Sequence, residues 1–134
     1  MFEVIDNMIQ QFPNDFAHVV RLAELYFVEK RWSELTGFVD DKVQKPVFYN
    51  DPQMEHFLWL GVAGEMNLKQ WAKAKKKMRT LGKLGVRSPD KLALAYLRLY
   101  LQTNKMELAW NNWLKLQDDM VREQALRQLI HHAT

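Results

Sequence analysis

The sequence predicts an all-α protein. Apolar residues recur every three or four positions through most of the chain, the spacing of a helix with one buried face. Glycine and proline are sparse, five and four in 134 residues, and they punctuate the periodic segments. No long alternating run bounded by hairpin dipeptides is present to build strands.

A first short helix is expected over 2–12, with Phe2, Ile5, Ile9 and Phe12 on one side and Val4 and Met8 beside them. Pro13 ends it, because proline lacks the backbone donor and disfavours helix in the residue before it. Asn14 or Asp15 caps a second helix over about 15–30, with Phe16, Val19, Val20, Leu22, Ala23, Tyr26 and Phe27 apolar. Its partner covers about 31–44, with Trp32, Leu35, Phe38 and Val39 inward, and Pro46 lies beyond it. Asn50-Asp51-Pro52 signals a new start, a cap followed by proline at the first helical position. That helix, about 52–66, carries Phe57, Leu58, Leu60, Gly61 and Met66. The next, about 68–83, carries Leu68, Trp71, Ala74, Met78 and Leu81, and Gly82 and Gly85 loosen and end it. Ser88-Pro89-Asp90 repeats the start signal for a helix over about 89–103, with Leu92, Ala93, Tyr96, Leu97 and Tyr100. Its partner at about 105–117 has Met106, Ala109, Trp110, Trp113 and Leu116. Asp118 caps a last helix, about 119–132, with Val121, Ala125, Leu126, Leu129 and Ile130.

The length fits one domain, 1–134, able to bury roughly two-thirds of its unfolded surface. The absence of cysteine excludes disulfides and thiolate metal sites and fits a reducing, cytoplasmic setting. No run is long and apolar enough for a transmembrane helix, and Glu3 and Asp6 without a basic leader do not make a signal peptide. The net charge of +3 is unevenly spread. From Lys69 to Lys91 stand nine basic residues and one acid, a local charge of +8, on a remainder of −5.

Three second helices align on a bulky residue three before a small or apolar one: Trp32/Leu35, Trp71/Ala74 and Met106/Ala109, at spacings of 39 and 35. Periods of this size in a helical chain indicate a solenoid, each hairpin burying its apolar faces on its neighbours and the terminal helices acting as caps. The pattern resembles the tetratricopeptide repeat over about 15–117. The third hairpin matches best, with Tyr96, Leu97, Tyr100, Met106, Ala109 and Trp113. The first offers Leu22, Ala23, Tyr26, Trp32 and Leu35, and the middle one Phe57, Leu60, Gly61, Trp71 and Ala74. The repeats exceed the family's 34 residues and lack its terminal proline, so a generic helical-hairpin solenoid fits the same spacing. The resemblance implies a short right-handed superhelix of about three hairpins with capping helices.

It also implies a concave groove, lined by the first helix of each hairpin, that grips a peptide or helix. By register the groove positions are Ala17, Val20, Glu24 and Phe27, then Glu55, Leu58, Val62 and Glu65, then Lys91, Leu94, Arg98 and Leu101. The alternative is that the terminal helices fill this stripe. The family's carboxylate-clamping Lys/Asn constellation is not in place.

The basic helix is a second candidate. Lys69, Lys73, Lys75, Lys76, Lys77, Arg79 and Lys83 lie off the Trp71/Ala74/Met78/Leu81 face and are expected to project to solvent. Such a patch attracts phosphate backbones, acidic lipid or an acidic protein. It reads equally as a solvated face that balances the acidic body, since no aromatic is interleaved for base stacking.

Trp32, Trp71, Trp110 and Trp113 take core spacing, whereas Trp59 lies off its helix's core face and reads either as a partly exposed interface anchor or as packed under the preceding hairpin. His18 and His56 are isolated, and His131 and His132 point about 100° apart on a helix, so no metal or other cofactor is assigned. No glycine-rich phosphate loop and no Gly-x-Ser-x-Gly elbow is present, so an enzyme is not expected. The chain is read as a protein-binding adaptor or chaperone-like scaffold. A nucleic-acid-associated protein using 69–91 and a structural domain pairing with a second copy are the alternatives.

Overall fold

The computed structural model describes residues 2–133. These form eight α-helices: α1 (Phe2–Gln11), α2 (Phe16–Val28), α3 (Trp32–Lys42), α4 (Met54–Asn67), α5 (Trp71–Leu84), α6 (Pro89–Gln102), α7 (Met106–Trp113) and α8 (Asp119–Ala133). A 3-10 helix, Pro46–Phe48, lies between α3 and α4, and the described residues contain no strand. The contacts gather into two compact units, Met1–Lys77 and Met78–Thr134, with the division inside α5.

Caps fix the helix starts much as the side chains predict. Asp15 Oδ1 accepts from the Ala17 amide at 3.1 Å, Ser88 Oγ from Lys91 at 3.3 Å, and Asp118 Oδ1 from Val121 at 3.1 Å. The start expected at Pro52 falls at Met54 instead. Asp51 turns its carboxylate onto the Gln53 amide at 2.8 Å and holds a turn there before the helix begins. The helix expected from 105 to 117 stops at Trp113, and the chain turns through 114–118.

One turn occurs three times. After α2, α4 and α6 a residue enters the left-handed region: Lys30 (φ 56°), Lys69 (φ 60°) and Asn104 (φ 60°). The next amide donates back to a carbonyl in the last helical turn: Arg31 to Tyr26 at 2.9 Å, Gln70 to Glu65 at 2.8 Å, Lys105 to Tyr100 at 2.8 Å. This is the Schellman closure, and it reverses the chain within three residues. The spacings, 39 and 35, are those of the Trp32, Trp71 and Met106 series. Leu35, Ala74 and Ala109, three residues on from that series, are all fully buried.

In the Met1–Lys77 unit α1 packs on α2, α2 on α3 and α4, and α3 on α4. Phe16 anchors the centre, its ring 4.6 Å from Phe48 of the 3-10 helix and 5.0 Å from Phe57 of α4. Helices α3 and α4 approach closely because Gly64 presents no side chain. A Cβ there would sit 2.9 Å from Thr36 Cγ2 and 3.3 Å from Leu35 Cδ2. In the Met78–Thr134 unit α6 packs on α7 and α8, and α7 on α8. Asp90 fastens this unit: its two carboxylate oxygens accept from the amides of Gln117 (2.9 Å) and Asp118 (2.8 Å).

Candidate functional site

The expected groove positions divide sharply. Val20, Leu58, Val62 and Leu101 are buried and belong to the core, and Glu65 is wholly buried. In α4 the reason is plain: Met54, Phe57, Leu58, Leu60, Gly61, Val62, Gly64 and Glu65 are all buried, so the expected lining register faces the core, and the partly exposed side is that of His56, Trp59, Ala63 and Asn67. Glu24 and Phe27 on α2 are exposed, as are Lys91 and Arg98 on α6, with Leu94 half-buried between them. Glu24 meets His56 of α4 at 3.7 Å on the surface of the first unit.

Glu65 is joined to Lys77, a residue expected to face solvent. Lys77 is buried instead, and its Nζ donates to Glu65 Oε2 at 2.7 Å and to Asp40 of α3. Three helices of the first unit are thereby tied through one ammonium. Burial raises the Glu65 carboxyl above the usual carboxylate range, and the Asp40 charge adds to that, against the opposing pull of Lys77 and Lys73. Glu65 Oε1 and Gln70 Oε1 are buried without a hydrogen-bond partner among the described residues.

The remaining basic candidates stay at the surface to differing degrees. Lys69, Lys73, Lys76, Arg79 and Lys83 are exposed and Lys75 is half-buried. Lys73 Nζ lies 3.9 Å from Asp40. Ala74, Met78 and Leu81, all fully buried, fix the inward face of α5.

Trp110, expected in the core, is 39% exposed. Trp113 takes the inward place: its Nε1 donates to the Arg122 carbonyl at 2.8 Å, and the Arg122 guanidinium covers its ring at 4.4 Å. The Trp110 ring stands edge-on against Trp113 at 5.6 Å. One turn on, Leu114 is 64% exposed. An outward aromatic braced by a second, pinned aromatic therefore sits beside an exposed leucine. Helical spacing cannot reveal this, because residues 110 and 113 are equally good core positions. Trp59 is half-buried.

No group of three or more His, Asp or Glu able to hold a metal occurs among the described residues. An open cleft of about 610 Å³ lies by the α1–α2 turn, where Asp15 and Asp51 each already commit an oxygen to a backbone amide. No described helix is long and apolar enough to cross a membrane. No family model, curated protein or solved structure matches the chain.

Proposed function

We propose that the chain is a non-catalytic protein-binding module, a scaffold of repeated helical hairpins that grips a peptide or helix of another protein. The thrice-repeated turn supports the repeat reading and is consistent with the tetratricopeptide-like superhelix. The observation that carries the binding reading is the Trp110–Leu114 face of α7. Aromatic anchors that are already rigid lose little conformational freedom on docking, and such residues dominate protein interfaces. The contact moves from the apolar stripe of Val20, Leu58, Val62 and Leu101, which the core consumes, to side chains that remain outside.

The test is affinity capture from the native host's lysate, treated with nuclease, by the wild-type chain and by Leu114→Glu. A defined protein retained by the first and lost by the second supports the reading. Identical eluates overturn it. A concentration-dependent mass abolished by Leu114→Glu identifies the partner as a second copy.

A further inference from the structure

The first part of the Met78–Thr134 unit exposes a set of side chains of different chemistry. Residues 78–106 carry Arg79, Lys83, Arg87, Lys91, Arg98 and Lys105, and Asp90 is their only carboxylate. All six cations are exposed. Both oxygens of Asp90 are engaged by the Gln117 and Asp118 amides. The rest of the unit, 107–134, is nearly balanced, with three basic and four acidic residues, so the positive charge is confined to this part.

The fold gives these cations no route inward. Met78 and Leu81 on α5, and Ala93 and Leu97 on α6, occupy the buried side. Helices α5 and α6 meet where a Cβ at Gly82 would lie 3.7 Å from Leu92 Cδ2, and Arg87 sits in the turn between them. On α6, Lys91, Leu94 and Arg98 follow one another at helical spacing on one face, with Lys91 and Arg98 about 10 Å apart along the axis.

We infer that this hairpin binds the phosphodiester backbone of double-stranded nucleic acid. Phosphate contacts need only cations presented at the surface, with no deep pocket and no apolar anchor. Tyr100 is buried and Tyr96 half-buried, so the hairpin offers no exposed aromatic platform for the unstacked bases of a single strand. A helix that enters a lipid surface needs its apolar face free, and here that face is in the core. Recognition is of the backbone alone and independent of base sequence. It uses side chains other than Trp110 and Leu114 and stands or falls apart from the protein-binding reading.

The experiment measures fluorescence anisotropy of short labelled DNA and RNA duplexes with the full chain as salt is raised. Four or five phosphate contacts give a slope of log K against log salt of about −4, a loss of roughly 100- to 500-fold between about 50 and 200 mM. Arg87→Glu with Arg98→Glu is expected to weaken binding at least tenfold and flatten the slope by about 2. Lys115→Glu with Arg127→Glu, the same charge change on exposed residues outside the hairpin, is expected to retain most of the affinity. Circular dichroism checks both folds, and Arg87→Gln with Arg98→Gln replaces the first pair if it unfolds. DNA bound like RNA marks recognition of the shared backbone, and preference for one duplex names the source. No duplex binding at 50 mM salt overturns the inference. So does equal weakening by both pairs, which is long-range attraction without a site. Tighter binding to polyglutamate or to anionic phospholipid vesicles than to either duplex overturns it as well.

Discussion

Glu65 and Lys77 hold, in the second helical hairpin, the places that Tyr26 and Phe38 hold in the first. Counted from the left-handed turn residues Lys30 and Lys69, Tyr26 and Glu65 stand four before the turn, and Phe38 and Lys77 eight after it. In the first hairpin the two rings meet edge-on at 5.9 Å. In the second an ammonium and a carboxylate meet at 2.7 Å. A buried ion pair thus stands where the first hairpin uses aromatic packing. The pair is sensitive to the loss of one partner and far less so to replacement of both.

Lys77→Met is expected to destabilise the chain by about 3–5 kcal/mol, because it strands a carboxylate in the interior. Glu65→Leu combined with Lys77→Met restores an apolar contact and is expected to recover most of that loss. Urea unfolding of the two variants beside wild type checks this. A double variant as unstable as Lys77→Met shows that the pair contributes specific bonding that packing cannot replace.

Glu65 also sets a pH dependence. Its folded-state pKa is raised by burial, with Lys77 and Lys73 opposing and Asp40 reinforcing. The folded chain therefore holds this proton more tightly than the unfolded one. The contribution from Glu65 is fully present below the unfolded carboxyl pKa and is lost as pH rises through the folded value. Other carboxylates titrate in the same range, so the readout is the stability of wild type minus that of Glu65→Gln. That difference is expected to shrink as pH rises above the unfolded carboxyl range. A difference that grows places the ionised form of Glu65 as the stabilising one.

Two glycines predict opposite signs. Gly64 lies at the α3–α4 contact, and Gly64→Ala pushes a methyl group into Thr36 and Leu35. The expected net loss is about 1–2 kcal/mol after the helix-propensity gain. Gly37 is on α3 with nothing within 4 Å of a Cβ, and Gly37→Ala is expected to gain about 0.5–1 kcal/mol. Thermal unfolding of the two variants distinguishes them, and equal shifts contradict the assigned helix contact.

The left-handed residues make a further test. Lysine at φ near 60° carries a steric cost that glycine avoids. Lys30→Gly and Lys69→Gly are each expected to stabilise by roughly 0.5–1 kcal/mol, and Asn104→Gly by less, since asparagine tolerates this region. Urea midpoints report it, and destabilisation by Lys69→Gly assigns that lysine side chain a contact of its own.

The helices and their caps were legible because periodicity and capping are local. Asp15, Ser88 and Asp118 cap where their side chains predict, and the Trp32, Trp71 and Met106 series carries the period of the turns. What was illegible depends on which side of a helix is covered. Helix α4 is apolar almost all round, so register alone could not separate a groove face from a core face at Leu58 and Val62. Lys77 sits in a Lys75–Lys77 run that reads as solvated, and only the chain reversal at Lys69 brings it onto Glu65. Trp110 and Trp113 are three apart, and the hydrogen bond from Trp113 to the Arg122 carbonyl decides which points in.

The central claim is that α7 touches another protein through Trp110 and Leu114. A photo-crosslinking residue at Leu114, with a control at Val4, also exposed but on α1, tests it most directly. Irradiation in the native host is predicted to give one discrete protein adduct from position 114 and none of that mass from position 4. Adducts of the same pattern from both positions, or an adduct from position 4 alone, would contradict the account.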